Sequence, residues 1–529
     1  MYSKNLSLVI YTILLFRPGA IDAEKLAKLV TFSAVRPEER FNFLVGSAGT
    51  VKVLKDNTTT KNFGISNISS EPMSISATIL PQAKIQFGGG VKHDPGLSGT
   101  WNFEGKKFVR LPPNSVNGGF TFAVVGVGRR FPPNYREAVD SFMAALVKDC
   151  KTAGLNINEG GPKITCEESV DELRQKFTML GSHGCRIAII VMCEDCYSTV
   201  KLASDTTGML TQCVKWKNIE RSPRGIQYNV ALKLNVKLGG TCSSLISRAP
   251  SNPTGAVYQD PPASLSWVLD KPCMFVGMDV THSQKGSERP SLAAVVASMD
   301  GRMSQFAANL SSQVATNEEM IVNLEDAMLS LFESYKTRNG GKMPTYIIVY
   351  RDGVSDGQFQ YVLDKELPAM KGALAILGYP EGAIKITIVV CQKRHNTRVA
   401  YKDGDDLINV CPGLVIDANG GVNSIVNSNL CEFYLNSHQA GLGTCRPCRY
   451  VVIYDEIGLK LAEVELLTYW TCYLYCRATK AVSYATPAYY AHWASKRAKA
   501  IFQAGGNAAD LAQISNIWNN RGLPTMFFI

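Results

Sequence analysis

A chain of 529 residues is too long for a single hydrophobic core, so two or three domains of ordinary size are expected. An apolar fraction of 46% with 19% charged residues excludes a disordered chain. The net charge of +10 suits a polyanionic partner without demanding one, and 15 scattered cysteines argue against a disulfide framework. They point instead to a reducing compartment, the cytoplasm with the nucleus as a second location.

At the N-terminus, Lys4 precedes an apolar run from Leu6 to Phe16, long enough for a secretory leader and too short to span a bilayer. Ile21 and Ala23 do not form a small-x-small cleavage pair, so a leader is not expected. No other stretch reaches transmembrane length, and no membrane partner is expected. Residues 24–115 read as short strands and loops, broken at Pro37, Gly64, Pro81, Gly88-Gly89-Gly90 and Pro112-Pro113. From Phe120 the texture changes. GFTFAVVGVG reads as a buried strand, VDSFMAALVKDC as an amphipathic helix and CRIAIIVMC as a second buried strand, which together predict a parallel sheet. The GVG after the first strand is not a dinucleotide fingerprint, because Phe131 stands where a third glycine is required.

Further on, Tyr197 and Lys201 are four apart and share a face in a helix, with Asp195 a fair N-cap. LKLNVKL (232–238) alternates apolar and polar residues, and its periodicity predicts a strand. An offset of four keeps Lys233 and Lys237 on one side in either geometry. A Pro- and Ser-rich break at 247–264 marks a domain boundary. Apolar strands follow at 273–278, 345–350, 386–391 and 450–454.

Two of these strands run into aspartates, Asp279 and Asp352. Carboxylates beyond the carboxyl ends of strands can hold divalent metal for phosphodiester hydrolysis. A strand-end aspartate can equally start a turn or cap a helix. Near the C-terminus, Thr486 as N-cap, Pro487 and Gly505-Gly506 bracket a helix carrying His492 and Arg497, about 140° apart around its axis. The pairs Cys193/Cys196 and Cys445/Cys448 have zinc-like spacing but fall in different domains.

The segments FVGMDVTHS, PSLAAVVASMD, IIVYRDGVSDGQF, VVCQKRHNTR, GTCRPCRYVVIYDE and VSYATPAYYAHWASKRA closely resemble the PIWI domain of eukaryotic Argonautes. Upstream, TQCVKWKNIER and LKLNVKLGG are similar to the MID domain, and KNFGIS and ILPQAKIQFGGG to the linker before it. The likeness runs from residue 27 to 529. It implies an α/β architecture, a Rossmann-like MID domain followed by an RNase H-like PIWI domain, preceded by a short linker. The corresponding spans are 1–26 unassigned, 27–115 linker with a PAZ remnant, 116–250 MID and 251–529 PIWI. Beyond that remnant, the resemblance leads one to expect the family's N and PAZ domains to be missing.

The resemblance further implies a tetrad of Asp279, Asp352, His492 and a glutamate from a helical segment, with Mg²⁺ or Mn²⁺ held by Asp279, Asp352 and His492. Glu319 occupies the glutamate's place in EEMIVNL, and Glu318 remains a competitor because the preceding loop differs by one residue. A solvated helix face is the plain alternative for such a pair. A guide 5′-phosphate pocket falls at Tyr197, Lys201, Gln212, Lys233, Lys237 and Arg497, where the family implies a helix over 232–238. Arg394, Arg446 and Arg477 are either guide-backbone contacts or structural ion-pair partners. His282 and His438 lie outside the tetrad. The function implied is guide-RNA binding and metal-dependent cleavage of complementary RNA, in company with silencing-complex proteins. The alternative is a guide-binding module that recruits those partners without cutting.

Overall fold

The computed structural model describes residues 23–46, 49–65, 68–115, 119–158, 161–246, 268, 271–283, 289–313, 318–418, 430–520 and 526–529. The apolar run at 6–16 and the break at 247–264 lie outside the described residues. The chain forms two compact units.

The smaller unit comprises Met1–Ile75, Asn396–Val410 and Gln439–Pro447. Its described part is helical at Ala23–Ser33, Pro37–Val45, Thr50–Asp56 and Thr58–Asn62, with a hairpin of Tyr401–Asp403 and Asp406–Ile408. The strands expected across this stretch are therefore replaced by helices. Pro37 is the first residue of a helix whose first turn carries Glu38 and Glu39. A proline there loses no hydrogen bond, and acids suit the positive end of the helix dipole.

Among the described residues the larger unit holds two large sheets and a small one made of Lys92–His93, Ile85–Gln86 and Ser244–Leu245. The first is wholly parallel and contains β1 (Phe120–Val127), β2 (Lys163–Cys166), β3 (Ile187–Met192) and β4 (Leu210–Lys215). Both β2 and β3 pair with β1, and β4 pairs with β3. The connections include α1 (Tyr135–Thr152), α2 (Val170–Ser182) and α3 (Tyr197–Thr207), and α4 (Ile226–Lys237) follows β4. Burial of both faces explains the continuous apolar strands.

α4 overturns the strand that periodicity predicts for 232–238. Every residue from Val230 to Lys237 is buried except the half-buried Lys233, so the apolar–polar alternation does not track solvent. The lysines face a polar pocket inside the protein. A helix buried nearly all round loses the amphipathic signature on which sequence patterns depend.

The second sheet is built from β5 (Cys273–Thr281), β6 (Leu292–Ser298), β7 (Phe306–Ser312), β8 (Tyr346–Asp352), β9 (Lys385–Gln392), β10 (Leu414–Asp417), β11 (Cys431–Asn436) and β12 (Cys448–Asp455). Its order is β10-β11-β12-β9-β8-β5-β6-β7, with Thr78–Ile79 added beside β10. An antiparallel meander, β5 to β7, meets two strands, β8 and β9, that run parallel to β5. This is the RNase H-like arrangement that the motifs imply. On one face Met274, Val276 and Met278 pack with Leu324, Met328 and Leu331 of α5 (Leu324–Arg338) and Met370 and Leu374 of α6 (Leu367–Ile376). The other face is covered by α7 (Leu461–Thr471), α8 (Thr486–Gln503) and α9 (Ala508–Asn519), with α8 directly against β5.

Gly277 makes that last contact close. A Cβ built there would stand 2.0 Å from the Pro487 carbonyl oxygen. From Pro487, α8 climbs five residues, roughly 7.5 Å, to His492, while β5 advances two residues, roughly 7 Å, to Asp279, so the two side chains arrive nearly level.

Candidate functional site

At the carboxyl end of β5, His492 Nδ1 lies 3.2 Å from Asp279 Oδ2. Ser495, one turn further along α8, donates its hydroxyl to the same oxygen at 2.6 Å. Burial pushes Asp279 up, but the bonds from His492 and Ser495 outweigh it and hold the carboxyl below its usual value. Asp279 is thus inside β5, two residues before its end, whereas Asp352 is the last residue of β8.

Asp352 is buried, and its Oδ2 accepts a short contact from the Lys393 ammonium. Burial raises its carboxyl to about 6, the Asp279 charge adds to that rise, and Lys393 opposes both. Lys393 lies two residues beyond Cys391, the register partner of Asp352, so it emerges from the same side of the sheet. Its Nζ also stands 3.9 Å from the Tyr484 ring centroid, within cation–π range.

Glu319 lies in a loop before α5, not in the helical segment the resemblance implies. Its carboxylate is largely buried rather than on a solvated face, and accepts from His282 Nε2 at 2.7 Å and Arg351 Nη1 at 3.1 Å. Arg351 is fully buried, pairs with Glu366 and donates to the Asp352 carbonyl at 2.6 Å. That bridge brings Glu319 beside β8, close to Gly353. Glu318 instead accepts from the backbone of Met320 at 3.1 Å. His282, outside the tetrad, is fixed at its other nitrogen by Ser291 at 2.8 Å.

Two carboxylates are the donor chemistry of a hard divalent ion, an imidazole is a softer donor beside them, and the Lys393 ammonium contacts one of the carboxylates. The groups stand in pairs, however. Among the described residues no three His, Cys, Asp or Glu side chains converge on one ion position.

On the opposite side of α8, α3, β4 and α4 enclose a cavity of about 430 Å³ lined by Tyr197, Lys201, Gln212, Lys233, Lys237 and Arg497. Lys201 Nζ donates to the Thr211 hydroxyl at 2.6 Å and lies 5.6 Å from the Tyr197 ring centroid. Lys237 Nζ donates to the Thr211 carbonyl at 2.8 Å and to Gln212 Oε1 at 3.0 Å. Arg497, only 1% exposed, pairs through Nη1 with Asp205 at 2.8 Å, while its Nε and Nη2 have no hydrogen-bond partner by geometry among the described residues. Burial, then the Arg477 and Lys201 charges, bring Lys233 down to about 8. Burial beside Lys201 and Arg497 pushes Lys237 well below its ordinary value. Such a crowd of cations is stabilised by an anion.

Arg477 also lines this cavity, its guanidinium 3.9 Å from the Trp493 ring. Arg394 is exposed in the larger unit, and Arg446 is exposed in the smaller one. Two expected caps differ. α3 starts at Tyr197 with Cys196 as cap residue, so Asp195 does not cap it. Thr486 is already helical and donates its hydroxyl to Thr471 instead.

A sequence model of the Piwi domain matches residues 187–503. The chain belongs to the Argonaute family. Putative protein tag-76 of Caenorhabditis elegans is 30% identical over 495 residues, covering 89% of this chain and 44% of the relative. Protein argonaute 5 of Arabidopsis thaliana is 31% identical over 516 residues, covering 90% of this chain and 48% of the relative. The chain therefore spans about half the length of these Argonaute relatives. Kluyveromyces polysporus Argonaute, solved with a guide RNA, superposes with a TM-score of 0.77 at 23% identity, over 96% of this chain and 62% of that one. The fold is that of an Argonaute MID and PIWI pair. No helix among the described residues is long and apolar enough to cross a membrane.

Sequence patterns did not single out Ser495, Lys393, Arg351, Asp205 or Thr211. Ser495 alone carried a readable signal, since it lies three residues after His492 on a helix and shares its face.

Proposed function

We propose that this Argonaute holds a guide RNA by its 5′-phosphate and cleaves RNA paired to the guide. The cationic cavity carries the first half of the reading. Lys201, Lys233, Lys237 and Arg497 crowd one small volume, and Arg497 Nε and Nη2 have no hydrogen-bond partner by geometry among the described residues. A terminal phosphate brings the charge and acceptor oxygens those groups call for, and Tyr197 beside it offers a face for the first base. Such contacts position a strand without reading its sequence, which suits recognition by base pairing.

For cleavage, Asp279, Asp352 and His492 supply the acidic centre, with Glu319 beside it. Mg²⁺ or Mn²⁺ bound by these groups supplies Lewis acidity and neutralises charge at the scissile phosphate. Water adds at phosphorus and the P–O3′ bond breaks, leaving a 3′-hydroxyl and a 5′-phosphate. Asp279 fixes the His492 ring through Nδ1, which would leave its other ring nitrogen as the one that holds the ion.

A second reading, guide binding and recruitment of silencing proteins without cutting, is favoured by the paired placement of the acidic groups. Purified protein loaded with a 5′-phosphorylated guide and given complementary RNA with Mg²⁺ or Mn²⁺ decides between them. Cleavage that Asp352→Ala abolishes supports the nuclease. Equal product from wild type and variant removes it, and guide retention without product leaves the binding module.

A further inference from the structure

We propose that Trp493 is a positioning residue of the cationic cavity, its indole ring holding Arg477 and Lys496 at the wall, where they take a backbone phosphate of the guide. The inference rests on the reading of that cavity as the guide's 5′-phosphate site. It begins with one helix face. Trp493, Lys496, Arg497 and Ala500 follow one another along α8 at steps of three, one and three residues, and all four line the cavity. Such spacing keeps them on one side of a helix. His492, one residue earlier, is directed to Asp279 instead. The face that carries the buried Arg497 therefore starts at an aromatic ring.

Two cations sit against that ring. The Arg477 guanidinium carbon is 3.9 Å from a Trp493 ring centroid and the Lys496 ammonium 4.9 Å from one, both within cation–π range. Among the described residues neither cation is paired with a carboxylate. The difference bears on what they can bind. A salt bridge engages guanidinium N–H donors with the acid, whereas stacking uses the flat face and leaves the donors at the edge free. Side chains held this way before a ligand arrives also lose less freedom when it binds. Their placement fits a strand. Lys201, Lys237 and Arg497 are buried, whereas Arg477 is half-buried and Lys496 exposed. The next phosphates of a strand anchored inside the cavity lie outward of the first, on the side where these two cations stand. A cavity of about 430 Å³ is of nucleotide size rather than the size of one anion.

The test is fluorescence anisotropy of labelled, 5′-phosphorylated single-stranded RNA on the full chain. Binding rather than cleavage is read, because Trp493 adjoins His492. Trp493→Leu should weaken binding about fivefold, and Trp493→Phe, which keeps an aromatic face, should recover most of the loss. Trp493→Met serves as a second non-aromatic variant, with circular dichroism showing that each protein is folded. The same RNA is then made with one uncharged methylphosphonate link, at the first, second or third position. At one of these positions the neutral link should remove the difference between wild type and the non-aromatic variants. Arg477→Gln should also cost less in a non-aromatic background than in wild type. Equal losses on the charged RNA and all three neutral ones, or independent effects of Trp493 and Arg477, overturn the proposal while the 5′-phosphate preference stands. If wild type holds 5′-hydroxyl RNA as tightly as 5′-phosphorylated RNA, the phosphate reading of the cavity fails, and this subsite with it.

Discussion

His492 Nδ1 stands 3.2 Å from Asp279 Oδ2 across 213 residues of sequence, and Ser495 Oγ completes the contact on the same oxygen. Burial opposes ionisation of Asp279, and these two bonds reverse that effect. Ser495→Ala deletes one of them and moves the Asp279 carboxyl upward. Cleavage that requires an ionised Asp279 then loses more at the acid end of its pH range than at pH 8. Single-turnover rates from pH 4 to pH 8 check this, and an equal loss at every pH contradicts it.

The phosphate cavity has its own pH signature. Lys233 is held at about 8 by burial and neighbouring cations, so its charge is lost as pH rises from 7 to 9. A bound phosphate favours the charged lysine, which makes binding take up protons in that window. The preference for 5′-phosphorylated over 5′-hydroxyl RNA should shrink between pH 7 and pH 9. Lys237→Met should cut the preference about tenfold at pH 7, the worth of one charge-assisted hydrogen bond. Fluorescence anisotropy with the two RNAs measures both effects. A pH-independent preference rules out the lysines as the phosphate ligands.

How much of this was legible depended on whether a pattern reported solvent exposure. β1, β3, β5, β8, β9 and β12 are readable because they are largely buried and rich in Val and Ile, whereas β2, β4, β6, β7, β10 and β11 are not singled out by the sequence. The four-residue offsets of Tyr197 with Lys201 and of Lys233 with Lys237 were readable because they survive any regular geometry. α4 was misread because its lysines point into an internal pocket. The helices between 23 and 62 are not legible in the sequence because Pro37 reads as a break, whereas in the fold it opens a helix. Glu319 was legible only through the family motif, since its loop has no periodicity. Lys393 had no signal at all: its contact with Asp352 comes from the register of β9 against β8.

Gly277 tests whether α8 positions the site. A methyl group there meets Pro487 backbone atoms at 2.0 and 2.2 Å, and backbone cannot turn aside as a side chain can. Gly277→Ala must push α8 away from β5, which costs about 1–3 kcal/mol as overpacking and carries His492 off Asp279. Urea unfolding should show the loss of stability, and guide-directed cleavage should fall by more than guide binding. A variant with wild-type midpoint and wild-type cleavage contradicts the packing argument.

Glu465 offers a prediction independent of RNA. It is buried on α7, 3% exposed, with Oε1 lacking a partner among the described residues. Burial, then the charge and hydrogen bond of Asp417 at the end of β10, raise its carboxyl from 4.5 to about 9. A carboxyl whose folded value lies above its unfolded one favours the fold only while it is protonated. The unfolded chain releases the proton above pH 4.5, so the penalty on the native state grows as pH climbs from 4.5 toward 9. Glutamine has the same shape, donates to Asp417 as the protonated acid does, and has no proton to lose. Glu465→Gln should therefore stabilise the protein by roughly 1–3 kcal/mol at pH 7, more at pH 8 and close to nothing at pH 4.5. Denaturant unfolding at those three pH values reads the trend directly. A stabilisation that does not change with pH would mean that the carboxyl is not titrating there, and a destabilisation would mean that the pair shares its proton in a geometry an amide cannot reproduce.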